Sequence, residues 1–275
     1  MEEKDENRCH YWSRRKHWVA PTEESRRKIR VTPYLAGAHS WRGGYRCQYC
    51  GKYASTDSCF PGVQSVVHLA ASPAVDSPWE AVLHNNIIGT YHVFEAARQA
   101  GVKQIIFASS NHAVGTYEQE FEPGPNRPHD KVIDQLVPIR PDSLYGVSKV
   151  FGEALSRYYA DHLGMHVISL RIGWITPTNI PEGNNLAEPG VTMWQSHEDF
   201  VQMVEKCLEA EEIQFDIFYG ISDNPFHFFD LEHARQEIGY EPQDTSLEKM
   251  HETKNTREGS ALEEGDERPG ASVGR

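Results

Sequence analysis

No stretch of about 18 consecutive apolar residues, the length that a membrane-crossing helix requires, occurs in this chain. The N-terminus, MEEKDENRCHYW, has no apolar stretch of the kind found in secretory leaders. No internal repeat is visible. Basic residues are outnumbered: 27 Lys and Arg face 40 Asp and Glu, leaving a formal charge of −13. An average surface of that sign repels nucleic acid and anionic membranes. Cysteine is scarce, at five in 275 residues, which suits a reducing cytosol better than a disulfide scaffold. Mean hydropathy is low, at −0.60, as expected of polar ends around an ordinary core. These absences predict a cytoplasmic protein with no nucleic-acid or membrane partner.

The deficit of positive charge is uneven. Residues 1–62 carry 12 Lys and Arg against 7 Asp and Glu, a balance of +5. Residues 63–275 carry the remaining 15 and 33, a balance of −18. Cys9, Cys47, Cys50 and Cys59 also lie in the first part, and only Cys207 beyond it. Three regions are expected: an atypical, poorly ordered segment 1–62, a body 63–243, and a disordered tail 244–275. The pair Cys47-Gln-Tyr-Cys50 resembles a zinc knuckle, but no histidine pair follows at finger spacing. A site from Cys47, Cys50, Cys59 and His68 would need a residue already inside a strand, so no metal is expected.

From Val63 the pattern is regular. Val63–Ala71 and Gln104–Ser109 are continuous apolar runs typical of buried parallel strands. His166–Arg171 and Phe215–Tyr219 read as further strands. Helices are predicted over 78–100, ended by Gly101, over 143–162, closed by Gly164, and over 196–209 and 231–238. Strands alternating with helices of 10–20 residues give an α/β fold with a mainly parallel sheet.

Within that frame, Tyr145 and Lys149 stand four apart on one helix, so they project from the same face. A nearby cation favours a phenolate, which predicts a Tyr145 pKa lowered toward neutrality and a base able to take an alcohol proton. The stripe Leu144, Val147, Phe151, Leu155 and Tyr158 is expected to face the core beside them. Ser109 and Ser110 end a strand, where parallel sheets bind ligands, so Ser110 is placed to polarise a substrate oxygen. On the 78–100 helix the expected apolar stripe is Trp79, Leu83, Thr90 and Phe94. Asn86 falls on it, either as a helix-to-backbone tie or as a proton-relay residue.

The segments Val66-Val67-His68-Leu69-Ala70-Ala71, Asn86-Ile-Ile-Gly-Thr90, Phe107-Ala-Ser-Ser110, Tyr145-x-x-x-Lys149 and Leu170-Arg-Ile-Gly173 occur together in order. The chain thereby resembles the extended short-chain dehydrogenase/reductases, in their NAD-dependent epimerase/dehydratase branch. Ser110-Asn-His-Ala-Val-Gly115, Arg140 to Glu153, Trp194 to Phe200 and Tyr219 to Asn224 bring it nearest to the uronate dehydrogenases. The resemblance implies a Rossmann-like sheet with a small C-terminal substrate subdomain. It implies NAD as cofactor and oxidation of a hexuronic acid at C1 to an aldarolactone. Tyr145 would take the C1 proton, Lys149 would hold the nicotinamide ribose, Ser110 would bind the reacting oxygen, and Asn86 would support proton transfer. Ser72, Asn111, His112 and Arg171 would bind substrate, with the Arg171 fork on the carboxylate. Leu69, Ala70, Ala71 and Ile172 would line the cofactor channel. It also implies a homodimer through helices 78–100 and 143–162.

Members of that branch open with a strand, a Gly-x-x-Gly-x-x-Gly turn and a helix that holds pyrophosphate. No such turn is present here. The nearest stretch, Lys28-Ile-Arg-Val-Thr-Pro33-Tyr-Leu-Ala-Gly37-Ala-His-Ser40, has Pro33 at the strand end and Ser40 in a glycine position. The first βα units are therefore expected to be missing or replaced. That leaves three alternatives to an active uronate-type enzyme: a catalytically impaired variant, a nucleotide-sugar epimerase or dehydratase, and a scaffold or binding protein.

Overall fold

The computed structural model describes residues 29–32, 60, 62–120 and 132–253. Five strands form one sheet in the order β1-β2-β3-β4-β5, each pair parallel: β1 (Ile29–Thr32), β2 (Ser65–His68), β3 (Gln104–Ser110), β4 (His166–Ile172) and β5 (Phe215–Gly220). Every residue of β3 is buried, which accounts for its unbroken apolar character and its place at the centre. This is the expected Rossmann-like α/β fold.

β1 is an addition to the expectation. It pairs Ile29 with Ser65 through Thr32 with His68, and it stops one residue before Pro33. Four residues are too few to show a period, and the strand comes from the basic segment. The change in composition at residue 62 is therefore not the edge of the sheet. The cysteines at 9, 47, 50 and 59 lie outside the described residues. Among the described residues no cluster of His, Cys, Asp or Glu could hold a metal ion. No described helix is long and apolar enough to cross a membrane.

The helix after β2 is compound. An α turn, α1 (Trp79–Ala81), runs into a π-helical stretch (Val82–Ile88) and then into α2 (Gly89–Gln99). A π-helix bonds i to i+5 and is wider than an α-helix. Its two buried residues, Val82 and Asn86, stand four apart, and Thr90 and Phe94 of α2 continue that line. The expected stripe assumed an α period throughout. Its first member, Trp79, is 47% exposed.

α3 (Leu144–Leu163) starts at a Ser143 cap, whose Oγ accepts from the Gly146 amide at 3.0 Å, and ends at Gly164 in the left-handed region, φ 66°. Its buried face is Tyr145, Ser148, Lys149, Gly152, Glu153, Ser156 and Tyr159. The expected core stripe lies on the other side: Leu144, Val147 and Tyr158 are exposed, and Phe151 and Leu155 are half-buried. The sheet takes the small and polar face because close approach to β3 requires it. A Cβ on Gly152 would sit 2.1 Å from the Phe107 ring.

The remaining helices are α4 (Pro189–Thr192), α5 (His197–Glu209), capped by the Ser196 hydroxyl, and α6 (Glu232–Ile238). Residues 246–253 are also helical, and the buried Ser246 donates its N–H to Asn224 Oδ1 at 3.0 Å. Ordered chain thus continues past the expected start of the tail at 244. Replacing Gly152 by Ala should overpack the α3–β3 contact and cost about 1–3 kcal/mol. Urea unfolding of the variant measures this loss.

Candidate active site

Tyr145, Lys149, Ser110, Asn111 and His112 converge at the carboxyl end of β3. Two close backbone approaches bring them together. A Cβ on Gly146 would lie 2.3 Å from the His112 carbonyl, and a Cβ on Gly115 would lie 2.1 Å from Asp142 Oδ2. Glycine at these positions lets the N-terminus of α3 dock on the two 3-10 turns, Asn111–Ala113 and Gly115–Gln119, that follow β3.

The Ser110 hydroxyl stands close enough to the Tyr145 phenol to favour its ionised form. It also donates to Asn111 Oδ1 at 3.1 Å and accepts from the His112 amide at 3.3 Å. The His112 ring lies edge-on to Tyr145, with centroids 5.7 Å apart, and its Nδ1 meets Asp142 Oδ2 at 2.7 Å. Asn111 donates from Nδ2 to Glu118 Oε1 at 2.7 Å. Burial pushes the Glu118 carboxyl up, while the hydrogen bond from Asn111 pulls it back. Glu118 and Asp142 were not identified from the sequence. Asp142 falls inside the Arg140 to Glu153 stretch but reads from sequence only as a candidate helix cap, Glu118 lies in no recognisable spacing, and each is linked to the site through a contact made by the fold.

Lys149 is buried, and its ammonium donates to the Ala108 carbonyl at 2.6 Å. Burial brings its pKa down to about 7, partly offset by the Glu153 carboxylate. Its charge and burial together bring His68, packed among Phe94, Phe107 and Thr90, down to about 3, burial being the larger cause. His68 is thus a neutral core residue. The Tyr145 pKa departs from expectation. Burial pushes it up to about 12, against the lowering effect of Ser110. Lys149 does not offset this. Its Nζ is turned to a backbone carbonyl and lies 5.4 Å from the centre of the Tyr145 ring.

Two expected roles change. Arg171 does not present its fork to a substrate. Nε and Nη2 bond Glu153 at 2.9 and 3.0 Å, and Nη1 bonds the Tyr219 hydroxyl at 2.9 Å, with the side chain 2% exposed. Burial opposes its charge, but the Glu153 carboxylate outweighs this and its pKa is raised. The Asn86 amide bonds protein groups. Its Oδ1 accepts from the Ser72 amide at 2.7 Å, and Nδ2 donates to the Ser72 carbonyl at 3.1 Å and to Ser148 Oγ at 3.0 Å. Ser148 Oγ in turn donates to the Tyr145 carbonyl at 2.6 Å. Asn86 is therefore the tie of the two readings, and it reaches the backbone of Tyr145 but not its phenol. Ser72 also accepts from Asn85 Nδ2 at 2.9 Å and is half-buried.

The residues that remain for a dinucleotide suit its nicotinamide half. Among the described residues the Lys149 ammonium makes one hydrogen bond and retains donors for a ribose diol. Leu69, Ala70 and Ile172 are half-buried at the carboxyl ends of β2 and β4, with Ala71 buried beside them. The chain that would meet pyrophosphate lies outside the described residues. Trp174, 42% exposed, follows β4 directly and sets an apolar face at this edge, its amide held by the Met193 carbonyl at 2.7 Å.

Lys149 carries a stability cost. Its folded pKa is below its unfolded value of about 10.4, so below pH 7 both states are protonated and the full burial penalty applies. Between pH 7 and the unfolded value that penalty is lost as the pH rises. Lys149→Met should therefore raise the melting temperature by several degrees at pH 6 and by less at pH 9, as read by calorimetry.

The chain is 45% identical over 189 residues to an NAD-dependent glucose-6-phosphate dehydrogenase of Haloferax volcanii, covering 68% of this chain and 71% of that one. It is 38% identical over 216 residues to a uronate dehydrogenase of Pseudomonas putida, covering 78% and 74%. Among solved structures it resembles a mutant uronate dehydrogenase of Agrobacterium tumefaciens complexed with NAD, with a TM-score of 0.61 and 29% identity over 89% of this chain and 81% of that one. The sequence profile of the NAD dependent epimerase/dehydratase family matches residues 9–177, which begins well inside the basic segment. The chain belongs to the NAD dependent epimerase/dehydratase family.

Proposed function

We propose that this protein is an NAD-dependent oxidoreductase that oxidises the C1 hydroxyl of a cyclic sugar or sugar acid to a lactone. The observation that carries the reading is the buried Tyr145 phenol, beside Ser110 and on one helix face with Lys149. Similarity to dehydrogenases named for glucose 6-phosphate and for uronate supports a sugar and its C1 centre. NAD, when bound, would supply the hydride acceptor.

The chain's own residues supply the rest. Tyr145 takes the C1 hydroxyl proton, Ser110 fixes the reacting oxygen, and His112 offers Nε2 to a sugar hydroxyl. That nitrogen is free to accept because Asp142 takes the proton on Nδ1. Lys149 holds the ribose and restrains the phenol. Trp174 offers an apolar face for the sugar ring. A hexuronic acid remains the proposed substrate by resemblance. The commitment of Arg171 to Glu153 favours a second reading, a neutral aldose, because the expected partner of the carboxylate is taken. We also propose a homodimer through the faces that carry Trp79, Tyr91, Leu144, Val147 and Tyr158. All five are exposed, and a partner copy would cover them.

Purified protein should bind NAD in a calorimetric titration and reduce it with galacturonate, glucuronate or a neutral aldose. Oxidation should rise with pH as the phenol titrates, about tenfold per unit below its apparent pKa. Tyr145→Phe should lower kcat by about 10²-fold or more and abolish that slope. Full turnover by Tyr145→Phe would sink the assignment. Val147→Glu should convert a dimer to a monomer in sedimentation velocity, and a wild-type monomer refutes the dimer.

A further inference from the structure

The turns after β3 spend most of their polar groups on one another. Asn111, expected to bind sugar, is 4% exposed. Its Nδ2 donates to Glu118 Oε1 at 2.7 Å and to Met193 Sδ at 3.6 Å, and its Oδ1 accepts from Ser110 Oγ at 3.1 Å. A side-chain amide has two protons to give, so Asn111 keeps neither for a sugar. Asp142 is engaged on both oxygens, Oδ2 by His112 at 2.7 Å and Oδ1 by the Ser143 hydroxyl at 2.9 Å. Of these side chains, His112 Nε2 and Glu118 Oε2 are the atoms left without a partner among the described residues.

Glu118 reaches this wall on the 3-10 turn Gly115–Gln119, which the bare Gly115 lets dock against Asp142. Its side chain is half-buried, and His112 and Asp142 stand close enough to its carboxyl to act on it electrostatically. A carboxylate drawn partly out of water, with one oxygen bonded and one open, is a strong acceptor for a hydroxyl proton.

We propose, on the footing of the sugar substrate above, that Glu118 is a substrate-binding residue whose Oε2 accepts from a ring hydroxyl next to the one that His112 holds. The wall then reads a pair of neighbouring hydroxyls. The sugar contact expected of Asn111 passes to Glu118, and Asn111 becomes the brace that fixes its Oε1. The contact asks only for a hydroxyl on the ring, which neutral aldoses, uronates and sugar phosphates all carry.

Deleting hydroxyls from the substrate tests the contact. The parent sugar is whichever of D-glucose, D-glucose 6-phosphate, D-glucuronate and D-galacturonate the wild type oxidises best with NAD. Glu118→Gln should lower kcat/KM for that sugar by about tenfold or more. Among the 2-, 3- and 4-deoxy analogues of the parent, one should cost the wild type a similar factor and cost Glu118→Gln little, because the contact is already lost. His112→Ala should be blind in the same way to a hydroxyl on an adjacent carbon. General damage to the fold would instead lower all four sugars by one factor.

Deletions that cost Glu118→Gln as much as they cost the wild type overturn the proposal, as does coupling of Glu118 and His112 to carbons that are not adjacent. If Glu118→Gln does not fold by circular dichroism, Glu118→Ala takes its place in the same comparison. Wild type that oxidises none of the parent sugars counts against the proposed function. The same comparison is then read from calorimetric dissociation constants, and absence of binding by every parent sugar overturns the Glu118 contact as well.

Discussion

The Glu153 carboxylate is held out of water by three hydrogen bonds: from Ser109 Oγ at 2.6 Å and from the Arg171 fork at 2.9 and 3.0 Å. Ser109 lies on β3, Arg171 on β4 and Glu153 on α3. Arg171 reaches onward to Tyr219 on β5, and Tyr219 to the carbonyl of Asp134 at 3.0 Å. One ion pair therefore clamps a helix to three strands. Such a pair is a poor source of net stability, because desolvation offsets much of the attraction. It is a strong source of uniqueness, since any other rotation of α3 would strand a charge. Glu153 is one turn from Lys149 and two from Tyr145. Fixing it fixes both residues at the carboxyl edge of the sheet.

A second set of ties holds the site from the opposite side. Asn86, inside the π-helical stretch, joins the chain after β2 to Ser148, and Ser148 holds the Tyr145 carbonyl. The base of the site is thus made of polar groups whose partners are all protein. Its mouth is different. Lys149 keeps spare donors, and Trp174 keeps an open face. A base whose polar groups are satisfied by protein suits pre-organisation.

Strand and helix positions were legible because parallel strands are apolar throughout and because Ser143, Ser196, Gly164 and Pro78 mark helix ends. Tyr145, Lys149, Ser110, Asn111 and His112 were legible as a motif, and the fold brings them together. The apolar stripe on α3 misled because apolarity marks burial of either kind, against the sheet or outward. Close packing on β3 selected Gly152 and Ser156 instead. Arg171 was misassigned because a strand end gives a side chain's place and not its partner, and the partner, Glu153, is 18 residues away. Tyr145 was expected to be acidified by a neighbouring cation, but sequence spacing carries no desolvation, and that proved the larger effect. Glu118 carried no local signal. β1 was too short to stand out, and the stretch from Pro33 to Ser40 that was compared with a pyrophosphate turn lies outside the described residues.

The π-helical stretch has a wider consequence. A helix that switches from one pitch to another and back acts as a phase shifter between its two ends. The half that follows, α2, keeps Thr90 and Phe94 in the groove beside β2, while the half that precedes keeps Trp79 turned outward. Deleting a single residue from 82–88 would restore the ordinary pitch and swing Trp79 toward the interior, with Asn86 carried off Ser72. The surface face and the catalytic face of the domain are timed against each other by one short run of loosely wound backbone.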